Sequence, residues 1–114
     1  MTTQEHLLSI LAEECGEVAQ RSIKALSFGL AEVQPGQPLA NAERIRQEFA
    51  DLCGVYEMIG LNPPSRADIE AKKLKVQKFL AYSAECGCVD SARCCSKRHN
   101  ESSSATAADK RGGS

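Results

Sequence analysis

Five acidic residues stand in two short blocks of this chain: Glu13, Glu14 and Glu17 in LAEECGEVAQ, and Glu48 and Asp51 in RIRQEFADLCG. Both blocks contain a three-residue step, Glu14 to Glu17 and Glu48 to Asp51. On a helix that step sets two side chains on neighbouring positions of one face, with Cβ atoms about 5 to 6 Å apart. Such a pair can share a cation.

A helical wheel at about 100° per residue sharpens the choice of residues. Glu48 falls inside the arc of Ile45, Leu52, Val55 and Ile59, with Asp51 at its border. In the first block Glu14 sits beside Leu7 and Val18 at the edge of the apolar stripe, Glu17 lies one step further round, and Glu13 is well away. Glu14 is therefore preferred to Glu13. A carboxylate taken out of water without compensation is costly or takes up a proton, so Glu14, Glu17, Glu48 and Asp51 facing one interior call for a metal ion. An all-oxygen donor set without imidazole or thiolate suits Mg²⁺, with Mn²⁺ possible. Di-iron bundles use Glu-x-x-His pairs, and the two histidines, His6 and His99, are not spaced to form them. The competing reading is that these acids are helix-surface charges paired with Arg21, Lys24 and Arg44.

The elements that hold these residues read as helices: apolar positions recur at three and four residues from Thr3 to Leu26, along Leu8, Leu11, Cys15, Val18, Ser22 and Leu26, which predicts a long amphipathic helix stopped near Gly29. AEVQPGQPLA reads as a loop ending at Asn41, a good N-cap. A second helix follows from Asn41 to Gly60, burying Ile45, Phe49, Leu52, Tyr56 and Ile59. LNPPS ends it. Ser65 and Asp68 resemble a capping box for a third helix, which carries Ile69, Val76, Phe79, Leu80 and Ser83 on one face to about Ala84. From Cys86 the chain is rich in Ser, Ala, Gly, Lys and Arg and reads as a disordered tail. The expected organisation is thus a helical catalytic domain over residues 1–84 and a Cys/Ser-rich tail over 85–114.

Composition supports the helical reading and excludes several function classes. With 4% aromatic residues and no Trp, the core must be aliphatic, which suits packed helices better than a β-sandwich, so the fold class is all-α. A net charge of −1 leaves no electrostatic case for a nucleic-acid partner. No apolar run approaches the roughly 20 residues of a membrane helix, and MTTQEHLLSI lacks the features of a signal peptide. A cytoplasmic location with reduced thiols is the expectation. About 84 residues in three helices form a marginal fold on their own, so association between copies is expected.

EECGE followed by EFAD resembles the EExxE and ExxD signature of MazG-like, all-α nucleoside triphosphate pyrophosphohydrolases, and the similarity covers most of residues 5–84. The stretch from EECGEVAQRSIKALSFGL to RIRQEFADL is also similar to small phage-borne members, the MazZ-like enzymes that act on purine deoxynucleotides. The resemblance implies a helical bundle completed by oligomerisation, as a dimer or tetramer. It implies that Glu14, Glu17, Glu48 and Asp51 bind Mg²⁺ and carry catalysis. Water then attacks the α-phosphorus of a (d)NTP, such as dGTP or dATP, to give (d)NMP and pyrophosphate, in the host cytoplasm if the chain is phage-encoded. Thirty residues separate Glu17 from Glu48, somewhat more than in compact members; the PGQP loop accounts for the excess.

Lys24 shares a flank with Glu17 and Arg21, and Lys75, Lys78 and Tyr82 form a second polar stripe on the third helix. These four are the candidate contacts for the β- and γ-phosphates; each lysine otherwise reads as solvated surface, and Lys72 as a snorkelling side chain. Base choice is weakly encoded: Asn41 reads as a cap or a base reader, Phe28 and Tyr56 as core or stacking platforms. Cys86, Cys88, Cys94, Cys95 and His99 offer soft ligands, but their spacing departs from common zinc sites, and mobile reduced thiols are the alternative. The rival function is a non-enzymatic helical oligomerisation module whose cysteine-rich tail binds metal or partners.

Overall fold

In the computed structural model, which describes residues 1–90, the chain is all-helical: among these residues there are three helices and no strand. They are α1 (Thr3–Phe28), α2 (Asn41–Ile59) and α3 (Arg66–Glu85). None is long and apolar enough to cross a membrane. The chain forms two compact units, Met1–Pro63, in which α1 packs on α2, and a second that begins at Pro64 and contains α3.

Each helix begins where local chemistry satisfies its free N–H groups. Thr2 Oγ1 accepts from the Glu5 N–H at 3.1 Å while Glu5 Oε2 accepts from the Thr2 N–H at 2.7 Å, a reciprocal cap that starts α1. Ser65 and Asp68 do the same for α3, as their spacing predicts. α2 differs. Its N-cap is Ala40, which has no side chain to offer. Loop carbonyls substitute, the N–H of Asn41 donating to Glu32 O at 2.9 Å and that of Ala42 to Leu30 O at 3.0 Å. The reading of Asn41 as the cap is therefore corrected: it is the first helical residue, 1% exposed, and its Nδ2 donates to the Gly29 carbonyl at 2.9 Å. α1 ends where Gly29 takes φ 97°, and α2 ends at Gly60 in the left-handed conformation, φ 84°.

Asn41 thus ties the start of α2 to the end of α1, and further along Arg21 meets Glu48, so the two helices run antiparallel. The intervening loop folds back on α2 through an isolated bridge between Val33 and Ala40 and a 2.8 Å hydrogen bond from Arg44 Nη1 to Gln34 Oε1. The face that α2 withdraws from solvent matches the expected arc of Ile45, Glu48, Leu52, Tyr56 and Ile59. Phe49 is an exception and is exposed. On α1 the withdrawn stripe runs through Leu7, Leu11, Glu14, Glu17, Val18 and Arg21. Leu8, Cys15, Ser22 and Leu26, expected on the buried face, are exposed, Leu26 at 85%. α1 therefore meets α2 through the acidic edge of its apolar arc, and this rotation brings the carboxylates inward.

In α3 the apolar face is exposed as well: Ile69, Val76, Phe79 and Leu80 are all open to solvent, as is Lys72. Ser83 and Ala84 alone among its residues are partly withdrawn. Beyond the helix the chain turns at Gly87, φ 76°, and the Cys88 N–H donates to Ser83 O at 2.8 Å. The chain through Val89 is thus still attached to the helix end. Cys15, Cys53, Cys86 and Cys88 are free, exposed thiols. Cys94, Cys95 and His99, with most of the proposed disordered tail, lie outside the described residues.

Candidate metal centre

Glu14 and Glu17 come from successive turns of α1, and Glu48 comes from the facing stretch of α2. A carboxylate oxygen from each lies within 4.8 Å of the other two. The rotation of α1 described above causes this convergence, because it points the acidic edge rather than the centre of the apolar arc at α2. All three side chains are half-buried. Glu14 Oε2 is withdrawn from solvent and has no hydrogen-bond partner. Three negatively charged groups so close repel one another strongly, and water screens them less than at an open surface.

The protonation of the group reflects that crowding. Loss of solvent raises the Glu14 carboxyl above the ordinary carboxylate range, and the charges of Asp51, Glu48 and Glu13 push it further in the same direction. Glu17 is raised chiefly because its protonated form hydrogen-bonds to Glu48, then by the Glu48 charge, by desolvation and by Glu14 and Glu13. Both shifts run in the direction expected where carboxylates crowd together with little positive charge to offset them. Among the described residues one cationic side chain reaches the cluster: Arg21 Nε donates to Glu48 Oε1 at 3.3 Å. A single guanidinium leaves the group of three carboxylates negative.

The donor set fits a hard divalent cation. It is all oxygen, it comes from two rigid helices, and the orphaned Glu14 Oε2 is an acceptor that such an ion would satisfy. Asp51 lies outside the set of converging oxygens and is exposed, although it is near enough for its charge to act on Glu14. Glu13, set aside in favour of Glu14, is exposed on α1. Lys24 stands on the same half-buried flank of α1, one turn beyond Arg21. Lys75, Lys78 and Tyr82 belong to the second unit, where they line one shallow open face of α3 together with Phe79. Phe28 is exposed, and the Tyr56 hydroxyl donates to the Asn62 carbonyl.

Arg21 is the residue of this cluster that the pattern of acids does not single out. Its signal in the sequence was its place four residues after Glu17, on the flank that also carries Lys24. The competing assignment of Arg21, Lys24 and Arg44 as general partners for surface acids holds in one case, Arg21 with Glu48. Arg44 is buried and bonds to Gln34 instead. Comparison of the chain with family profiles, with curated proteins and with solved structures returns no match.

Proposed function

We propose that the chain is a Mg²⁺-dependent nucleotide pyrophosphohydrolase that cleaves a (d)NTP to (d)NMP and pyrophosphate, with Mn²⁺ as an alternative ion. The observations that carry this reading are the convergence of one carboxylate oxygen each from Glu14, Glu17 and Glu48 within 4.8 Å of one another, and the lack of any hydrogen-bond partner for Glu14 Oε2. The resemblance of EECGE and EFAD to the MazG-like signature supplies the reaction class, and likeness to phage-borne members supplies the preference for a purine deoxynucleotide such as dGTP or dATP. Cytoplasmic nucleotide metabolism is the proposed setting, and assembly as a homodimer or homotetramer the proposed state.

In this reading Glu14, Glu17 and Glu48 would hold the cation, with Asp51 as a fourth carboxylate whose charge already acts on Glu14. When bound, the ion lowers the pKa of the attacking water and neutralises charge on the α- and β-phosphate oxygens. The protein's own part is positioning. Carboxylates on packed helices are pre-set more closely than side chains on a loop, so little rearrangement is needed when substrate arrives. Lys24 offers an ammonium to a phosphate oxygen from the adjoining turn of α1.

The test is a panel of NTPs and dNTPs incubated with purified protein and Mg²⁺. Equal release of monophosphate and pyrophosphate, lost in Glu48→Gln, is the expected result. Orthophosphate as the sole inorganic product, or no turnover across the panel, would refute the reading. In the second case the exposed apolar faces of α1 and α3 favour the helical association module instead.

A further inference from the structure

Arg21 is joined to Glu48 by one contact that leaves most of its hydrogen-bonding capacity unused. Its side chain and that of Glu48 are 21% and 16% exposed, so the pair is largely sheltered. Yet the contact is single and long, made by Nε at 3.3 Å rather than by the two-pronged end of the guanidinium. Among the described residues Nη1 and Nη2 have no hydrogen-bond partner in the protein. A guanidinium bound side-on through Nε keeps its fork available, and that fork matches two oxygens of a phosphate in one plane.

The neighbours explain why it is held this way. Glu48 is shared: one of its oxygens lies within 4.8 Å of oxygens of Glu14 and Glu17, and Oε1 accepts from Arg21. A cation in the carboxylate group and the guanidinium therefore bid for the same side chain. Lys24, one turn further along α1, marks the direction in which positive charge continues away from the acids.

Resting on the proposed nucleotide hydrolysis, we infer that Arg21 is a displaceable counter-ion: it pairs with Glu48 in the cation-free protein, competes with the divalent ion for that carboxylate, and on release presents its guanidinium to the phosphate chain of the substrate. Arg21 then couples the two binding events. Arrival of the ion frees the group that takes the phosphate, and the negative phosphate holds the guanidinium off Glu48. A static role has the opposite consequence, because a side chain that merely props Glu48 in place would be needed for the ion to bind.

The two roles differ in sign, and calorimetry on the full chain separates them without an activity assay. Titration of Mg²⁺ into Arg21→Gln should give affinity about fivefold tighter than wild type, the scale of removing one partly sheltered ion pair. Titration of inorganic pyrophosphate at saturating Mg²⁺ should give affinity about tenfold weaker, the scale of losing a charge-assisted hydrogen bond. Arg21→Lys keeps the charge and loses the fork, so it should leave Mg²⁺ affinity near wild type and still weaken pyrophosphate; it also guards against a Gln variant that does not fold. Mg²⁺ affinity that is unchanged or weaker in Arg21→Gln overturns the counter-ion role, and unchanged pyrophosphate affinity overturns delivery to phosphate. If wild type binds Mg²⁺ while these signs fail, the hydrolase reading stands and this inference falls. If wild type binds no Mg²⁺, both fall.

Discussion

At the scale of single residues, the cluster of Glu14, Glu17 and Glu48 is crowded with like charge. Glu14 is the clearest case, since it has lost solvent, faces Asp51 and Glu48, and its Oε2 has no partner. Glu48 at least has Arg21. Glu14→Gln should therefore raise the melting temperature of the metal-free protein at neutral pH while abolishing Mg²⁺ binding, whereas an ordinary surface acid would change neither. The pH dependence has a defined sign. A carboxyl whose pKa is raised on folding binds more protons in the folded state, so its stabilising contribution is present at acid pH and lost as pH climbs from the ordinary carboxylate range through the raised values of Glu14 and Glu17. Thermal melts of metal-free protein should show stability rising as pH is lowered from neutral, with a smaller rise in Glu14→Gln and in wild type saturated with Mg²⁺. A flat profile, or stability falling on mild acidification, would show that the carboxylates do not repel one another.

At the scale of elements, the junction between α1 and α2 turns on Asn41. The cap reading and the observed geometry make opposite statements about Asn41→Asp. A cap accepts Asp as readily as Asn. In the fold the side chain instead donates to the Gly29 carbonyl from a position 1% exposed, which a carboxylate cannot do. Asn41→Ala should cost about 1 kcal/mol for one buried hydrogen bond, and Asn41→Asp about 2 to 3 kcal/mol because it also buries an uncompensated charge. Chemical denaturation measures both, and Asp equal to wild type restores the cap. Much of this level was legible in the sequence. Three helices follow from apolar spacing, the start of α3 from Ser65 and Asp68, and the inward position of Glu48 from its place among Ile45, Leu52 and Ile59. The facing stripe of α1 was less legible. A wheel finds the most apolar face, centred near Leu8, Cys15 and Leu26, but α1 turns to α2 the stripe of Leu7, Leu11, Glu14, Glu17, Val18 and Arg21, where the pairing of Arg21 with Glu48 is invisible to apolar spacing. Asn41 was misassigned for a related reason, since the carbonyls that took over the cap's work belong to Leu30 and Glu32, in a loop whose path sequence spacing does not reveal.

At the scale of the whole molecule, the described residues contain no fully buried apolar side chain. Folding is driven mainly by removal of apolar surface from water, at roughly 25 cal/mol per Å², and a pair of helices with half-exposed contacts recovers little of it. What remains outside is large and aliphatic or aromatic: Leu26 at 85%, Met58 and Phe79 at 70% and Phe28 at 59% exposed. Side chains of this size left in water on each unit form surfaces of the kind that mark association sites, and the near-neutral net charge of −1 offers little repulsion between copies. The chain should therefore be a homo-oligomer whose folding and assembly are linked, with a melting temperature that rises with protein concentration. Multi-angle light scattering gives the mass and a dilution series gives the linkage. Phe79→Asp and Leu26→Asp, each on an exposed helix face, should shift the population toward smaller species, because a charge placed in an apolar interface must be desolvated without a partner. The identity of the sensitive position then reports which unit supplies the interface: loss of assembly in Phe79→Asp alone assigns it to α3, in Leu26→Asp alone to α1. A monodisperse monomer with concentration-independent unfolding would mean that these surfaces are tolerated in water, and the assembly proposal would be abandoned while the carboxylate site, built within one chain from α1 and α2, would keep its own tests.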